Sequence, residues 1–431
     1  MNGRKIILLG ALVWLGLNGL SFAQQSKTAP SVETFVRLAL RNNPDLRARA
    51  LAVQAAAKQI PQAGSLPDPV LSVSFMNLPV NAFVFNQEPM SGKQLSLRQK
   101  IPFPGKLGLK KSVARARFQI AEQTRIELEN QLVGRVKSTY FALFAVDRML
   151  RVTAKNMALL KQFNRIAETR YAVGKGVQQD ILKAQVEYSN LRNRQIALRQ
   201  QRQSLQAKLN ILVNRPVDIP VPKIRTIRLD SLSQTLGELE SLAFALRPIL
   251  KKSRLVVQKA ERLFRLAKKD FWPDVTLGVA YTQRDRLKTG APGIDYISAT
   301  VAFNLPVFFG QKQAQKAEEA DLNLQKARAE LENMQNLLRF LLRDAWVRAE
   351  KNRKQLKLLR EGILPQAKQA LDAALTSYQV GKIDFLTLLN NQQTLFRYES
   401  DYYRAQAEYE IALTELEIIV GKPLFLRAKE R

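Results

Sequence analysis

The chain carries the same short motif twice, 207 residues apart. Tyr-x-Val-Gly-Lys occurs in RYAVGKGVQQDIL, residues 170–182, and again in SYQVGKIDFLTLL, residues 377–389. Further pairs recur at almost the same spacing: LNILVNRP with LEIIVGKP at 207, ALRNNP with AFALRP at 204, and PDPVLSVSF with WPDVTLGVAY at 206. Insertions between diverged copies leave small changes of spacing like these. The repeat predicts a tandem duplication of a unit of roughly 190 residues whose two halves fold alike.

Each half contains a very long helical stretch, predicted at Lys106–Ala172 and Gln311–Gln379. A helix of about 65 residues is on the order of 100 Å long. Helices of this length are stable only when they pack along others. Apolar residues recur at steps of three and four from Ile181 and again from Leu388, which is typical of helices that supercoil around their neighbours. Pro365 is expected to kink the second stretch or to start a new segment, because proline lacks the backbone N–H.

Gly174 and Gly381 fall where each long helix must stop and reverse. Glycine accepts the left-handed conformation that commonly ends helices. An ordinary helical hairpin turn would explain each glycine alone. The flanking Tyr, Val and Lys also recur in both copies, which a simple turn does not require, so a contact surface is the second interpretation.

Four segments alternate with period two instead of the helical period. They are LSVSFMN, KQLSLRQKI, VTLGVAYT and ISATVAFNL, each with one apolar face and one small or polar face. This pattern is typical of transmembrane β-barrel strands, and a soluble sheet with one wet face is the alternative. Four strands are too few to close a spanning barrel, and an open edge in lipid is very costly. If the strands span a bilayer, several chains must share one barrel.

Composition removes several classes of function. The basic start MNGRK, an apolar run and a small-x-small site predict a secretory signal peptide over residues 1–23. The chain has no Cys and no His, which excludes disulfides and thiolate sites and removes the commonest general base. No acid–base or nucleophile constellation is recognisable, so neither enzyme activity nor a bound cofactor or metal is expected.

The net charge of +31 permits a nucleic-acid partner, an anionic lipid surface or a solvated basic surface. The predicted export and the lack of a base-reading module argue against nucleic acid. A soluble, basic coiled-coil binding protein is the distant alternative.

These signals predict a mostly α-helical fold with a small β part: long coiled-coil helices and four strands. If the strands span a bilayer, three chains would give a trimeric twelve-stranded transmembrane barrel to which each contributes a four-stranded portion, and their long helices would form a common helical barrel. The predicted division is a signal peptide at 1–23; a first repeat at 24–216, with a hairpin near 68–103 and a tip turn near 171–177; a linker at 217–235; a second repeat at 236–423, with a hairpin near 273–307 and a tip turn near 378–384; and a tail at 424–431.

The motifs resemble those of the outer membrane factor (TolC) family of efflux and secretion ducts. The resemblance covers essentially the whole mature chain and rests on the duplicated plan and on three stretches: RYAVGKGVQQDILKAQ, ILPQAKQALDAALTSYQVGKIDFLTLLNNQQTLF and PFPGK at residues 102–106. The sequences of PFPGK and of the second tip are most similar to those of the heavy-metal efflux (CzcC/CusC-like) branch. The resemblance implies a homotrimer in the outer membrane lipid with a helical tube in the periplasm. The tube docks on a periplasmic adaptor, which joins it to an inner-membrane RND-type pump.

The implied function is a passive exit duct of a tripartite efflux system for metal cations or small toxic compounds. A duct for type I protein secretion is the alternative within the same architecture. The resemblance also implies roles for individual residues. The adaptor-docking tips are Tyr171, Val173, Gly174, Lys175, Tyr378, Val380, Gly381 and Lys382. A periplasmic constriction is expected at Asp180, Asp384, Thr387 and Asn390, although both acids also fit simple compensation of a helix dipole. The strand-to-helix crossovers are Pro102, Pro104, Gly105, Pro306 and Gly310.

Overall fold

A computed structural model describes residues 31–424. The predicted signal peptide and residues 425–431 of the predicted tail lie outside this range. The elements in chain order are α1 Val32–Asn42, α2 Pro44–Gly64, β1 Val70–Met76, β2 Gly92–Ile101, α3 Lys106–Ala172, α4 Gln178–Leu212, α5 Leu236–Leu246, α6 Pro248–Lys269, β3 Val275–Gln283, β4 Tyr296–Phe303, a π-helical turn Gly310–Ala314, α7 Gln315–Leu358, a second π-helical turn Leu359–Ile363, α8 Leu364–Gln379 and α9 Phe385–Val420. Among these helices, none is both long and apolar enough to cross a bilayer.

Helix α3 spans 67 residues without a break, which makes it on the order of 100 Å long. It begins after Gly105, whose positive φ of 89° turns the chain out of the preceding strand. Its neighbours along its length are α2, α4, α6 and α9. These contacts supply the lateral packing that so long a helix needs for stability.

The second long stretch is helical throughout but is interrupted by two π turns. The second of these, Leu359–Ile363, directly precedes α8, in which Pro365 occupies the first turn. Proline is tolerated there because the first amides of a helix have no intrahelical acceptor. The predicted effect of Pro365 is therefore a change of helix type followed by a new segment.

The two π turns account for the change in repeat spacing between the crossovers and the tips. Gly105 and Gly310 are 205 residues apart, and Tyr171 and Tyr378 are 207 apart. Between the two π turns, the buried positions of α3 and α7 correspond at a spacing of 206: Leu132, Val136, Thr139 and Leu143 with Leu338, Leu342, Ala345 and Ala349. The hydrogen bonds of a π turn run from i to i+5, so each turn accommodates one extra residue. The buried side of the helix is thereby maintained.

The four strands form one antiparallel sheet in the order β1-β2-β3-β4. Leu97 lies opposite Leu71 and Val279, while Ser96 lies opposite Ser72 and Ala280. Because side chains alternate along a strand, this register collects the apolar residues on one face. That face is exposed in the single chain: Leu71, Val73, Phe75, Leu95, Leu97, Leu277, Val279, Tyr281, Ile297, Val301 and Phe303. The opposite face carries mainly small and polar side chains, as the sequence predicts.

The helices next to the sheet follow the same order as the strands. Helix α2 precedes β1, α3 follows β2, α6 precedes β3 and α7 follows β4. In space α2 packs on α3, α3 on α6, and α6 on α7. Three main apolar clusters hold the helices together: one around Phe35 and Phe144, one around Leu342 and Leu416, and one at the tip end around Phe163 and Phe385. The fold is thus a row of long helices continued by a short sheet.

Candidate functional site: helical tips and crossovers

Both tip turns have the same backbone geometry. Gly174 and Gly381 have φ values of 70° and 77°, in the left-handed region. In the first tip, Gly174 N donates to Tyr171 O at 3.0 Å and Lys175 N to Arg170 O at 2.8 Å. In the second tip, the amides of Gly381 and Lys382 make the equivalent bonds at 3.0 and 2.9 Å. Each tip is therefore a Schellman motif, which explains the requirement for glycine at both places.

Arg170, at the end of α3, holds the two tips against each other. Its Nη1 donates to the main-chain oxygen of Tyr378 and, at 3.3 Å, to that of Gln379. Its Nη2 donates to Lys175 O at 3.0 Å. The guanidinium also lies 4.8 Å from the centre of the Tyr378 ring, within range of a cation–π contact. We call this set of contacts the Arg170 clasp.

The two tip tyrosines occupy different environments. The side chain of Tyr171 is 50% exposed, whereas that of Tyr378 is 2% exposed. The Tyr378 ring packs edge to face on Phe385, with centroids 5.5 Å apart, and its hydroxyl donates to Asp180 Oδ2 at 3.1 Å. Burial, reinforced by the Asp180 carboxylate, raises the pKa of Tyr378 to about 12. In this conformation Tyr378 supports the tip from within, while Tyr171 is available to a partner.

The other predicted docking residues lie at the surface. Val173 and Val380 are more than 60% exposed, although both are apolar. Lys175 and Lys382 are also exposed, directly beyond the two glycines. The end of the helical hairpins therefore presents an apolar and basic surface of two valines and two lysines, with Tyr171 beside it.

Two of the four predicted constriction residues are acids, and each accepts a hydrogen bond near the start of a helix. Asp180 lies in the first turn of α4 and accepts the hydrogen bond of Tyr378. Asp384 caps α9 by accepting from Thr387 N at 2.8 Å, and hydrogen bonds from Thr387 lower the pKa of Asp384. The side chains of Thr387 and Asn390 are exposed on α9. Both acids thus have the structural role of stabilising a helix start.

At the first crossover, residues 102–106 meet residues 270–274 of the second half. Phe103 stacks on Trp272, with centroids 5.2 Å apart. The buried ammonium of Lys106 donates to Asp274 Oδ1 at 2.8 Å and to Trp272 O at 3.0 Å. Burial alone would raise the pKa of Asp274, but its hydrogen bonds and two neighbouring ammonium groups lower it to about 2. We call this set of contacts the crossover junction.

The prolines and glycines of the two crossovers behave differently. Pro102 is buried, Pro104 is exposed, and Gly105 provides the left-handed residue before α3. At the second crossover, Pro306 is half-buried, and Gly310 begins the π turn. The apolar side chains between these last two residues are all exposed: Val307, Phe308 and Phe309.

The sequence analysis missed three residues of these sites. Arg170 stands at the start of the quoted motif, but its counterpart in the second copy is Ser377. That difference was the only local sign of a special role. Lys106 and Asp274 were missed as partners because 168 residues separate them. Their positions beside the predicted crossovers were the available signal.

The comparisons with known proteins agree with this architecture. The sequence profile of the family described as "Outer membrane efflux protein" matches residues 35–215 and 239–422. The cobalt-zinc-cadmium resistance protein CzcC of Cupriavidus metallidurans is 24% identical over 412 residues, covering 93% of this chain and 92% of that protein. The pyoverdine export outer membrane protein OpmQ of Pseudomonas aeruginosa is 22% identical over 418 residues, covering 91% and 84%. Among solved structures, CusC superposes with a TM-score of 0.79 at 18% identity, covering 94% of this chain and 96% of that one. The channel OprN gives a TM-score of 0.78 at 16% identity, covering 91% and 90%.

Proposed function

Because the chain belongs to the outer membrane efflux protein family and is an exit duct of an efflux system, we propose that three copies form one conduit through the outer membrane. The sheet carries this proposal. One of its faces is apolar and exposed, the other is mainly polar, and no strand between residues 31 and 424 pairs with the outer edges of β1 and β4. In hydrocarbon such edges must be paired, and barrels need at least eight strands. Three chains supply twelve strands.

The helices then extend from the sheet into the periplasm, with the tips at the far end. The exposed Val173, Val380 and the two tip lysines support docking on a periplasmic adaptor, which in turn joins an inner-membrane RND-type pump. Tyr171 extends this surface. In this role the protein conducts cargo and makes no covalent change to it.

We infer metal cations as the cargo. The support is the similarity to CzcC over more than nine-tenths of both chains, together with the sequences of the first crossover and the second tip described above. The cations would pass as hydrated ions through a water-filled lumen lined by the polar face of the sheet. The test is a deletion strain challenged with cobalt, zinc, cadmium, a drug panel and a siderophore. Returning this chain to the deletion strain should restore tolerance to the metals. Restored tolerance to the drugs or the siderophore alone would overturn the metal assignment.

The membrane role is tested with two lysine substitutions on neighbouring positions of β3. Val279 faces the exposed apolar side, and a lysine there costs about 2–4 kcal/mol near the middle of a bilayer. Ala280 faces the polar side, where lysine meets water. We expect Val279→Lys to lose outer-membrane trimers in cell fractionation and Ala280→Lys to retain them. A wild-type protein recovered as a soluble periplasmic monomer would refute the proposed membrane role, and so would equal behaviour of the two variants.

A further inference from the structure

The four strands carry positive charge and no negative charge. Strands β1–β4 contain no Asp or Glu, and their only charged residues are Lys93, Arg98 and Lys100, all on β2. Side chains alternate along a strand, so Arg98 and Lys100 lie on the polar side with Ser96. Lys93 lies on the other side, next to the hairpin loops, and pairs with Asp285 at 3.3 Å. The polar face of the four strands therefore carries two cations and no acid.

Lys100 is neutralised by a neighbour, whereas Arg98 is not. Lys100 Nζ lies 3.2 Å from Asp274 Oδ2, at the edge of the crossover junction. Arg98 is exposed, and its guanidinium makes no ion pair or hydrogen bond with any residue between 31 and 424. The stem of Arg98 lies beside Gly278 of β3: a Cβ on that glycine would be 3.4 Å from Arg98 Cγ. Because Gly278 has no side chain, it does not screen the guanidinium from the solvent on the polar face.

Arg98 is the one long side chain in its row across the sheet. The register places Val70, Gly278 and Thr300 in the same row. The equivalent position in the second half is Ala302, at the spacing of 204 that also relates the first prolines of the two crossovers. Each chain therefore contributes a single unpaired arginine to the polar face of its sheet.

We propose that three Arg98 side chains, one from each copy, form an anion-binding ring inside the barrel. The inference rests on the three-chain conduit of the proposed function, in which the polar face of the sheet lines the lumen. The ligands that the ring takes are small multivalent anions. A hydrated metal cation still passes the ring, at lower permeability than an anion of the same size, and a metal complexed by anionic ligands passes more readily.

The dimensions of such a barrel bring the three charges close to its axis. Twelve strands about 4.8 Å apart and tilted by about 40° close at a radius of about 12 Å. An extended arginine spans roughly half of that radius, so its guanidinium lies within one Debye length of the axis, which is about 8 Å at physiological salt. Three unit charges at this distance favour a monovalent anion on the axis about threefold, and a trivalent anion about 30-fold, because the exponent scales with the charge. Rings of arginine or lysine select anions in other pores for the same reason.

The ring is tested by the ionic current through the full-length protein, purified from the outer membrane and reconstituted into planar lipid bilayers in about 0.1 M KCl. The trivalent anion hexacyanoferrate(III) is added on the side of the hairpin loops. We expect it to block the wild-type current, and Arg98→Gln to raise the half-blocking concentration at least about tenfold. The matched control Ser298→Gln lengthens an exposed side chain on the same polar face without changing its charge, and should stay within about twofold of the wild type.

Placing the arginine on the second hairpin separates the effect of charge from that of local structure. Ala302 is exposed on the polar face of β4. Ala302→Arg alone raises the number of arginines in the ring from three to six, so we expect a lower half-blocking concentration than in the wild type. The double variant Arg98→Gln/Ala302→Arg again has three, and its half-blocking concentration should return to within about threefold of the wild type.

The outcomes distinguish the ring from the conduit. Equal block of the wild type and Arg98→Gln would overturn the ring and leave the conduit standing. A block that Ala302→Arg neither strengthens nor restores would also overturn the ring, because Arg98 would then act through the local structure of the wall. A wild-type protein that forms no conducting pore would overturn the conduit itself.

Discussion

Replacing Arg170 by alanine removes the clasp between the two tips. The wild-type guanidinium donates hydrogen bonds to three main-chain oxygens, those of Tyr378, Gln379 and Lys175. A hydrogen bond from a charged donor contributes about 1.5–3 kcal/mol. The Gln379 bond is long, and the released carbonyls at an exposed turn regain water. We therefore expect a net loss of about 2–4 kcal/mol in the stability of the closed tip.

This loss sets a measurable change in tip opening. At 1.36 kcal/mol per factor of ten, the opened population rises about 30-fold to about 900-fold. The amides of Gly381 and Lys382 report it, since both are protected only by the second Schellman motif. Hydrogen exchange at these two amides, measured in a peptide covering residues 374–386, should accelerate by that factor, while α3 away from the tip stays unchanged. Arg170→Lys keeps the positive charge but loses the planar guanidinium that can donate to several oxygens at once, so we expect an intermediate exchange rate.

The matched control is Arg165→Ala, which removes an exposed arginine from the same helix. It should leave exchange at the second tip within about twofold of the wild type, which corresponds to less than 0.5 kcal/mol. Equal acceleration by Arg165→Ala, or no acceleration by Arg170→Ala, would refute the clasp.

Three further perturbations follow from the structure. Gly381→Pro should abolish efflux in a tolerance assay while trimers still form, because proline cannot adopt the φ of 77° that the tip requires; normal efflux would contradict a docking role for this turn. Burial raises the pKa of Glu410 to about 8, above its unfolded value, so its ionisation should lower stability as pH rises from about 5 to 8. Glu410→Gln should make the thermal midpoint less dependent on pH over that range. An unchanged dependence on pH would show that another group causes the effect. Lys106→Met leaves the Asp274 carboxylate without its closest cation and should cost roughly 3 kcal/mol of unfolding free energy; the exposed Lys110→Met should cost little, and equal costs would argue against the crossover junction.

Local signals in the sequence were sufficient for the main elements. The predicted bounds of the first long helix agree with α3, because an uninterrupted helical period ends at a glycine suited to a left-handed turn. The alternating faces of the strands agree with the sheet for the same reason: period two is visible in the sequence itself. The four period-two segments also implied unpaired sheet edges, since four strands are too few to close a barrel.

Contacts between distant residues could not be predicted in this way. Arg170 and Tyr378 are 208 residues apart, and no periodic pattern links them. The repeat alone could not distinguish Tyr378 from Tyr171, because equivalent positions suggested the same role for both. The structure gives the two rings different environments, since Tyr171 is half-exposed whereas Tyr378 packs on Phe385, bonds to Asp180 and lies beneath the Arg170 guanidinium. Repeats predict backbone plan well and predict neighbours only where both copies have the same surroundings.

The two π turns have a consequence for how such a duplicated protein changes in length. One residue added to an α-helix rotates everything beyond it by about 100°, which would turn the buried side of α8 toward water. Absorbing the addition inside Gly310–Ala314 and Leu359–Ile363 confines that rotation to a single turn. The buried positions of α7 therefore still match those of α3, although the second half is two residues longer than the first between its crossover glycine and its tip tyrosine.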